Sequence, residues 1–316
     1  MTNEVMARGR PGPEIDAIDL ALLQGVQRDG RATYEALSRA LGLSRQAVRA
    51  RMVRLLESGV VQIIGVVHPS LFGLTAYAHL SVTVEGPALA VADRIAALDD
   101  ARFVSVVSGS LDLVAELRSA DQSALAATVR RVAAIPGVLR VDTVIYTAIL
   151  KHAHFPPGPY SPTSIDDVDR RLLVHLQRDG RAAFADLGEV VGLSTSAART
   201  RVLRLLESGA VHVGARIQPG ALGPAQVVGF QLALAGHAEE AVEHIRRMSQ
   251  VEYLATSIGR CDAIGTAVSH SADGVLRFLE TVRAVHGVKS VASWTHLRVV
   301  KESYASSPAS SSPILM

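Results

Sequence analysis

Gln27-Arg28-Asp29-Gly30-Arg31-Ala32 recurs residue for residue at Gln177-Arg178-Asp179-Gly180-Arg181-Ala182, 150 positions later. The same offset pairs Gly42-Leu43-Ser44 with Gly192-Leu193-Ser194, and Arg54 to Gly59 with Arg204 to Gly209. Between Ile18–Gly59 and Val168–Gly209, 22 of 42 positions are identical. Weaker sequence keeps the offset. Pro69 and Gly73 pair with Pro219 and Gly223, Gly109 and Asp112 with Gly259 and Asp262, and Lys151 with Lys301. A fixed-period repeat sets the architecture before any local reading begins. The 316-residue chain is one unit of about 135 residues written twice, each with a strongly matched first part and a diverged second part. Pro156-Pro157-Gly158-Pro159 lies between the copies, as in an extended, semi-rigid spacer.

The first part of each unit predicts three helices. Asp16 precedes an apolar stripe at Ile18, Leu22, Leu23 and Val26, with Asp19 three residues on as a capping box that Asp166 and Asp169 repeat. Asp29-Gly30 is a turn dipeptide. Thr33 caps a second helix ending at Gly42, and Ser44 caps a third, whose Ala47, Val48, Met52, Leu55 and Leu56 recur at helical spacing. Two helices joined by a short Gly-containing turn behind a supporting helix form a helix-turn-helix module.

The third helix carries Arg45, Arg49, Arg51 and Arg54 with no acid before Glu57, and its counterpart carries Arg199, Arg201 and Arg204. Net charge is only +2, so these cations are concentrated on one short element. A major-groove reader needs that arrangement, because residues near the start of such a helix reach base edges. The expected DNA-contacting residues are Ser44, Arg45, Gln46, Arg49 and Arg54 in the first copy, and Ser194, Thr195, Ser196, Arg199 and Arg204 in the second. Arg51 and Arg201 lie beside the buried stripe and are expected to serve the fold. Thr33 becomes Ala183, so the second module loses a cap.

The second part reads as βαββαβ. Thr75 to Val84 alternates as a half-buried strand. A helix follows from Pro87, then strands Phe103–Val107 and Leu113–Leu117, a helix over 123–135, and a final strand Val138–Ile149. Repeat two follows the same order to Val300. That order is the ferredoxin-like pattern. The two middle strands flank Gly109-Ser110-Leu111-Asp112, or Gly259-Arg260-Cys261-Asp262. Two readings of these loops stand side by side. The glycines let backbone approach a ligand while the aspartates take an ammonium group, or the motif is a tight hairpin with an aspartate turn bond.

Composition excludes several classes. Apolar residues make up 48% and charged residues 20%, which argues for a folded globular chain. The single cysteine, Cys261, excludes an intrachain disulfide framework and thiolate clusters, and it suits a reducing cytoplasm. Val60–Val82, the most apolar stretch, is interrupted by Gln62, His68, Pro69 and Gly73, so no membrane partner is expected. Met1–Pro13 lacks the apolar core of a signal peptide. His237, Glu240, Glu243 and His244 mimic a metal site on one helix, but their counterparts Pro87, Ala90, Asp93 and Arg94 do not repeat it. No catalytic residue, metal or cofactor is expected, and no phosphate-binding loop, nucleophile elbow or dinucleotide fingerprint is present.

The succession of helix-turn-helix, linking strand and βαββαβ resembles the Lrp/AsnC (feast/famine) transcriptional regulators. The resemblance runs through Asp29-Gly30-Arg31, Gly42-Leu43-Ser44, Arg51-Met52, Leu56-Glu57-Ser58-Gly59 and Gly109-x-x-Asp112, and through their partners in repeat two. It implies an α+β fold with two tandem copies of a winged-type helix-turn-helix domain (15–65 and 165–215). Each is followed by an effector and dimerisation domain (74–151 and 224–302), with a proline-rich linker at 152–164 and a disordered tail at 303–316. It also implies double-stranded DNA as partner, an amino acid-like effector held by Gly109, Ser110, Asp112, Gly259, Arg260 and Asp262, and self-association through the sheets. Family members carry one copy per chain, so two copies imply an intrachain pseudo-dimer. Arg45-Gln46 against Thr195-Ser196 then implies an asymmetric operator.

Two alternatives belong beside this. Siroheme decarboxylases share the layout, and some are fused tandems. Such an enzyme needs histidines, arginines and aromatics around a tetrapyrrole, whereas the first strand offers only Tyr77 and His79. The other is an effector-binding co-regulator that no longer binds DNA.

Overall fold

A computed structural model describes residues 15–67, 71, 73–152, 164–217, 225–236 and 238–303. The expected disordered ends, the spacer between His152 and Ser164, and Pro69, Pro219, Gly223, His154 and His237 lie outside the described residues.

Three helices open the first unit: α1 (Ala17–Arg28), α2 (Tyr34–Leu41) and α3 (Arg45–Glu57). Each start is fixed by its cap. Asp16 and Asp19 form a complete capping box, Thr33 accepts from Ala36 N at 3.1 Å, and Ser44 from Ala47 N at 3.1 Å. The second unit repeats them as α6 (Asp167–Arg178), α7 (Phe184–Val191) and α8 (Thr195–Glu207). Ala183 offers α7 no side-chain cap.

A wing does not follow. The strand leaving the first module, β1 (Val61–Val67), pairs antiparallel with its counterpart β6 (Val211–Ile217) from the second. The winged-type expectation is corrected here: each strand finds its hydrogen bonds across the two units, not within a hairpin of its own. Val213 and Ala215 enter the core under α1–α3, while Val67 and Leu74 enter the core under α6–α8. Each module is thus completed by the other unit's chain.

The remaining elements are β2 (Ala76–Val84), α4 (Ala88–Ala96), β3 (Ala101–Ser108), β4 (Leu113–Ser119), α5 (Gln122–Ala133) and β5 (Val138–His152). Their counterparts are β7 (Gln226–Leu234), α9 (Glu239–Arg247), β8 (Val251–Ile258), β9 (Ala263–Ser269), α10 (Ala272–Arg283) and β10 (Val288–Glu302). Each unit forms a β3-β4-β2-β5 type sheet, and the two sheets close into one eight-stranded barrel. The last strands do the closing. β5 pairs with β2 through residues 138–145 and with β8 through 145–152, and β10 bridges β7 and β3 likewise. Both run beyond their expected ends at Ile149 and Val300. Lys151 and Lys301, matched in the sequence, each reach helix-end carbonyls of the opposite unit: Met248 O at 3.0 Å, and Ala96 O at 2.8 Å.

Closure changes the reading of β2. Ala76, Ala78, Leu80 and Val82 face the helix-side core, as alternation predicts. His79 and Ser81, on the other face, are buried as well, because the second sheet covers them. The strand is buried on both faces, not half-buried.

Candidate DNA-binding face and barrel cavity

The arginines of α3 divide into two sets. Arg45, Gln46 and Arg49 are exposed, as are Thr195, Ser196 and Arg199 on α8. Ser44 and Ser194 stand at the helix starts, and their hydroxyls accept backbone N–H bonds as caps. Arg51 turns inward and donates through Nη1 to Asp16 Oδ2 at 2.7 Å and Asp19 Oδ1 at 2.8 Å. Arg54, a proposed DNA residue, keeps much of its side chain exposed, but its guanidinium also binds Asp19. Arg201 and Arg204 repeat both contacts on Asp169. Asp19 is 0% exposed. Burial pushes its carboxyl up, but hydrogen bonds from Arg51 and Arg54 outweigh this and hold it below the usual carboxylate range. Sequence reasoning read Asp19 only as half of a capping box. Its second role was signalled by the repeat, which keeps Asp169, Arg201 and Arg204 together.

The Asp29-Gly30-Arg31 motif locks the two modules to each other. Arg31 donates to Gly180 O at 2.6 Å and Ala182 O at 3.1 Å, and Arg181 donates to Gly30 O at 2.5 Å and Ala32 O at 3.0 Å. Each guanidinium also lies over a ring of the opposite module, Arg31 over Phe184 and Arg181 over Tyr34. Gly30 N donates to Val213 O, and a Cβ at Gly30 would sit 2.9 Å from Gly214 N, so only glycine permits this approach.

The Gly-x-x-Asp loops sit on the seam between the sheets. Asp112 Oδ2 accepts from Val84 N at 2.9 Å, and Asp262 Oδ2 from Leu234 N at 2.7 Å, which ties each hairpin to the end of β2 or β7. Gly109 lies against Ser293 O, and Gly259 against Thr143 O, so each loop abuts the last strand of the other unit. Arg260 reaches Ser81 in β2, and Ser110 is exposed. The aspartate bond is thus a long-range tie to β2 or β7, not the local turn bond of the hairpin reading.

A cavity of about 360 Å³ lies inside the barrel, lined from both sheets. It straddles the internal two-fold, because positions 150 apart face it together: Arg102 and Glu252, Glu116 and Thr266, Arg118 and Val268, Tyr146 and His296. Every one of these pairs differs in residue type. Trp294 closes one side, packed on Gly229, where a Cβ would come within 2.1 Å of the indole. Gly229 is the counterpart of His79, whose ring lies 5.5 Å from Trp294. His79 Nε2, Trp294 Nε1 and both ring nitrogens of His296 have no hydrogen-bond partner among the described residues. Burial, with Arg260 and His296 adding to it, lowers the His79 pKa to about 3, and burial lowers that of His296 to about 4, so both imidazoles are neutral at pH 7. Burial raises the Glu116 carboxyl, which accepts from Tyr146 OH at 3.0 Å. Reasoning from the first strand alone missed this lining, which comes from several strands and from both units.

Cys261 is packed between the sheets, with burial raising its thiol. Glu243, part of the metal mimic, is engaged by Arg246 at 2.6 Å and Arg247 at 2.8 Å. No helix among the described residues is long and apolar enough to cross a membrane.

Together these features define an α+β protein whose two helix-turn-helix modules are joined to a shared barrel. The AsnC-type helix-turn-helix profile matches residues 15–56 and 165–206, and the Lrp/AsnC ligand binding domain profile matches residues 75–154. An HTH-type transcriptional regulator of Mycobacterium tuberculosis is 32% identical over 125 residues, spanning 38% of this chain and 83% of its own length. An uncharacterised HTH-type transcriptional regulator of Pyrococcus horikoshii is 28% identical over 141 residues, spanning 44% of this chain and 89% of its own. The chain belongs to the Lrp/AsnC family of transcriptional regulators. At the level of fold it is similar to the crystal structure of the siroheme decarboxylase NirDL in complex with an iron-uroporphyrin III analogue. That likeness has a TM-score of 0.64 at 15% identity and covers 90% of this chain and 92% of that one.

Proposed function

We propose that this chain is a sequence-specific DNA-binding regulator that acts as its own dimer. It reads two unlike half-sites under the control of a small effector, an amino acid or related metabolite. The observation that carries the reading is the division of the α3 and α8 arginines. Arg51 and Arg201 are engaged by buried aspartates, while Arg45, Arg49 and Arg199 stand exposed on the faces that reach base edges in such modules. Gln46, Thr195 and Ser196 join them as readers. Ser44 and Ser194 present helix starts to phosphate, and Arg54 and Arg204 flank the contact. The Arg31–Arg181 lock holds the two faces in a fixed relation. All eight strands of the barrel are paired, so further self-association proceeds through its outer faces and not through strand edges.

A second reading is favoured by one observation, the cavity. Its histidines, arginines and aromatics are the residue types a siroheme decarboxylase-like enzyme needs. Against it, 360 Å³ is small for a four-ring macrocycle. That enzyme would also have no use for Arg45 and Arg49. An effector-binding co-regulator without DNA binding would equally have no use for them.

The test is selection of genomic fragments by the purified chain at about 150 mM salt, where weak phosphate-only binding fades. The expected result is one motif with two unlike halves about one helical turn apart, or a multiple of it. A perfectly palindromic motif contradicts the asymmetric reading, and recovery of nothing above background contradicts DNA recognition.

A further inference from the structure

We propose that the barrel cavity is the effector site of this chain and takes an aromatic monocarboxylate, a planar apolar body carrying one acid group. The inference deepens the regulatory reading above and rests on it. Arg118 lines the cavity and is only 6% exposed, yet among the described residues its side chain makes no hydrogen bond or ion pair. A guanidinium stays charged when buried, and a buried charge without a bonded counter-ion is costly. Glu116, two residues away on the same face of β4, feels the Arg118 charge, but its hydrogen bond comes from Tyr146 and not from Arg118. The acid of a ligand completes the site.

Asymmetry orients the ligand, and Arg118, the lining arginine without a hydrogen bond among the described residues, is where its acid group binds. The counterpart of Arg118 across the internal two-fold is Val268. A homodimer would offer a ligand on its axis two identical walls, whereas the pair at 118 and 268 offers a guanidinium on one side and an isopropyl group on the other; Arg102 and Arg216 also line the cavity, Arg216 bonded to Gln62. The rest of the wall suits a flat ring. Trp294 lies between two imidazoles, with ring centroids 5.5 Å from His79 and 6.4 Å from His296, and Phe103 stands edge-on to His296 at 5.4 Å. The indole N–H, without a hydrogen-bond partner among the described residues, donates to a polar edge of the ligand. A volume of about 360 Å³ accommodates one or two rings and falls within the ~300–1,000 Å³ of ligand pockets.

The same cavity reports to the DNA-reading modules. Gln27, in the last turn of α1, and Arg216, in β6, both line it. Arg216 donates to Gln62 of β1, and His212 Nε2 lies 3.1 Å from Gln27 O. An occupant therefore touches the β1–β6 ribbon that holds the two modules together.

Trp294 is the only tryptophan, so its fluorescence reads the cavity directly. The full-length chain is titrated with phenylacetate and with neutral phenylacetamide, and DNA-fragment retention is measured separately without either. The expected result is a saturable emission change with phenylacetate, with the amide at least about 10-fold weaker, as the loss of a charged hydrogen bond predicts. Arg118→Gln weakens phenylacetate by a similar factor, and Arg118→Lys, which keeps the charge, recovers part of it. Absence of a saturable change, equal binding of acid and amide, or an iron uroporphyrin saturating the signal at lower concentration than phenylacetate each overturns the proposal. Intact ligand binding without DNA retention instead overturns the regulatory reading alone.

Discussion

Two arginines only two residues apart on α3 should respond in opposite ways to the same substitution. Arg51→Ala removes two hydrogen bonds to carboxylates, one to Asp16 and one to Asp19. Asp16 is half exposed, at 49% of its side chain, so solvent screens its pair and it adds little. Asp19 is fully buried, and a hydrogen bond between charged groups there contributes about 1.5–3 kcal/mol. Arg54 stays on Asp19 and limits the damage, so the expected loss is about 2–3 kcal/mol. Arg49→Ala removes an exposed side chain and should change stability by less than about 0.5 kcal/mol. It should instead cost about 1–3 kcal/mol of affinity for a selected DNA fragment. Urea midpoints of the helical signal give the first quantity, and fragment titrations at fixed salt give the second. The reasoning fails if Arg49→Ala shifts the urea midpoint as far as Arg51→Ala, or if it leaves DNA affinity untouched.

Four further outcomes follow from the same geometry. Ala183→Thr should restore the missing cap of α7 and add about 1 kcal/mol, read as a higher melting temperature of the second module. Arg31→Ala combined with Arg181→Ala removes the four reciprocal carbonyl bonds, and hydrogen exchange in β1 and β6 should accelerate by at least tenfold while the barrel strands stay protected. The folded pKa of Asp19 is lowered, so its contribution to stability is present above the unfolded value of about 3.9 and is lost as pH falls through the folded one. The urea midpoint should accordingly drop below about pH 4, and the drop should be shallower in Asp19→Asn. Gly229→Ala drives a methyl into the indole of Trp294, and should cost about 1–3 kcal/mol and shift the tryptophan emission.

Local signals made the helix-turn-helix modules readable. Asp16, Thr33 and Ser44 cap where the sequence places them, and the stripe from Leu22 to Val26 is buried. What escaped the sequence is long-range. The family resemblance implies a wing, but the partner of β1 is β6, which lies 150 residues away, and no local pattern announces it. Alternation in β2 signals one buried face, and only the second sheet explains why His79 and Ser81 are buried on the other. The cavity is assembled from strands of both units, so no contiguous motif describes it. One trace was available: across the offset of 150, His79 becomes Gly229 while its pairing neighbour Val144 becomes Trp294, an exchange of volume between adjacent positions. The Gly-x-x-Asp loops carry the same lesson. A motif that stands out in the sequence also ties each hairpin to the end of β2 or β7 through its aspartate, a long-range role that no local pattern announces.

The central claim is that one chain reads two unlike half-sites, one with each recognition helix. Exchanging three residues tests it most directly. Thr195→Arg, Ser196→Gln and Thr200→Ala give α8 the outward face of α3, and leave the Asp169 anchor and the Arg181 lock intact. Fragment selection is then repeated with the triple variant beside the original chain. The account predicts that the half-site read by α8 changes to match the one read by α3, so that the recovered motif becomes a repeat of two like halves. An unchanged motif would contradict it, because the second helix would then have no part in reading DNA.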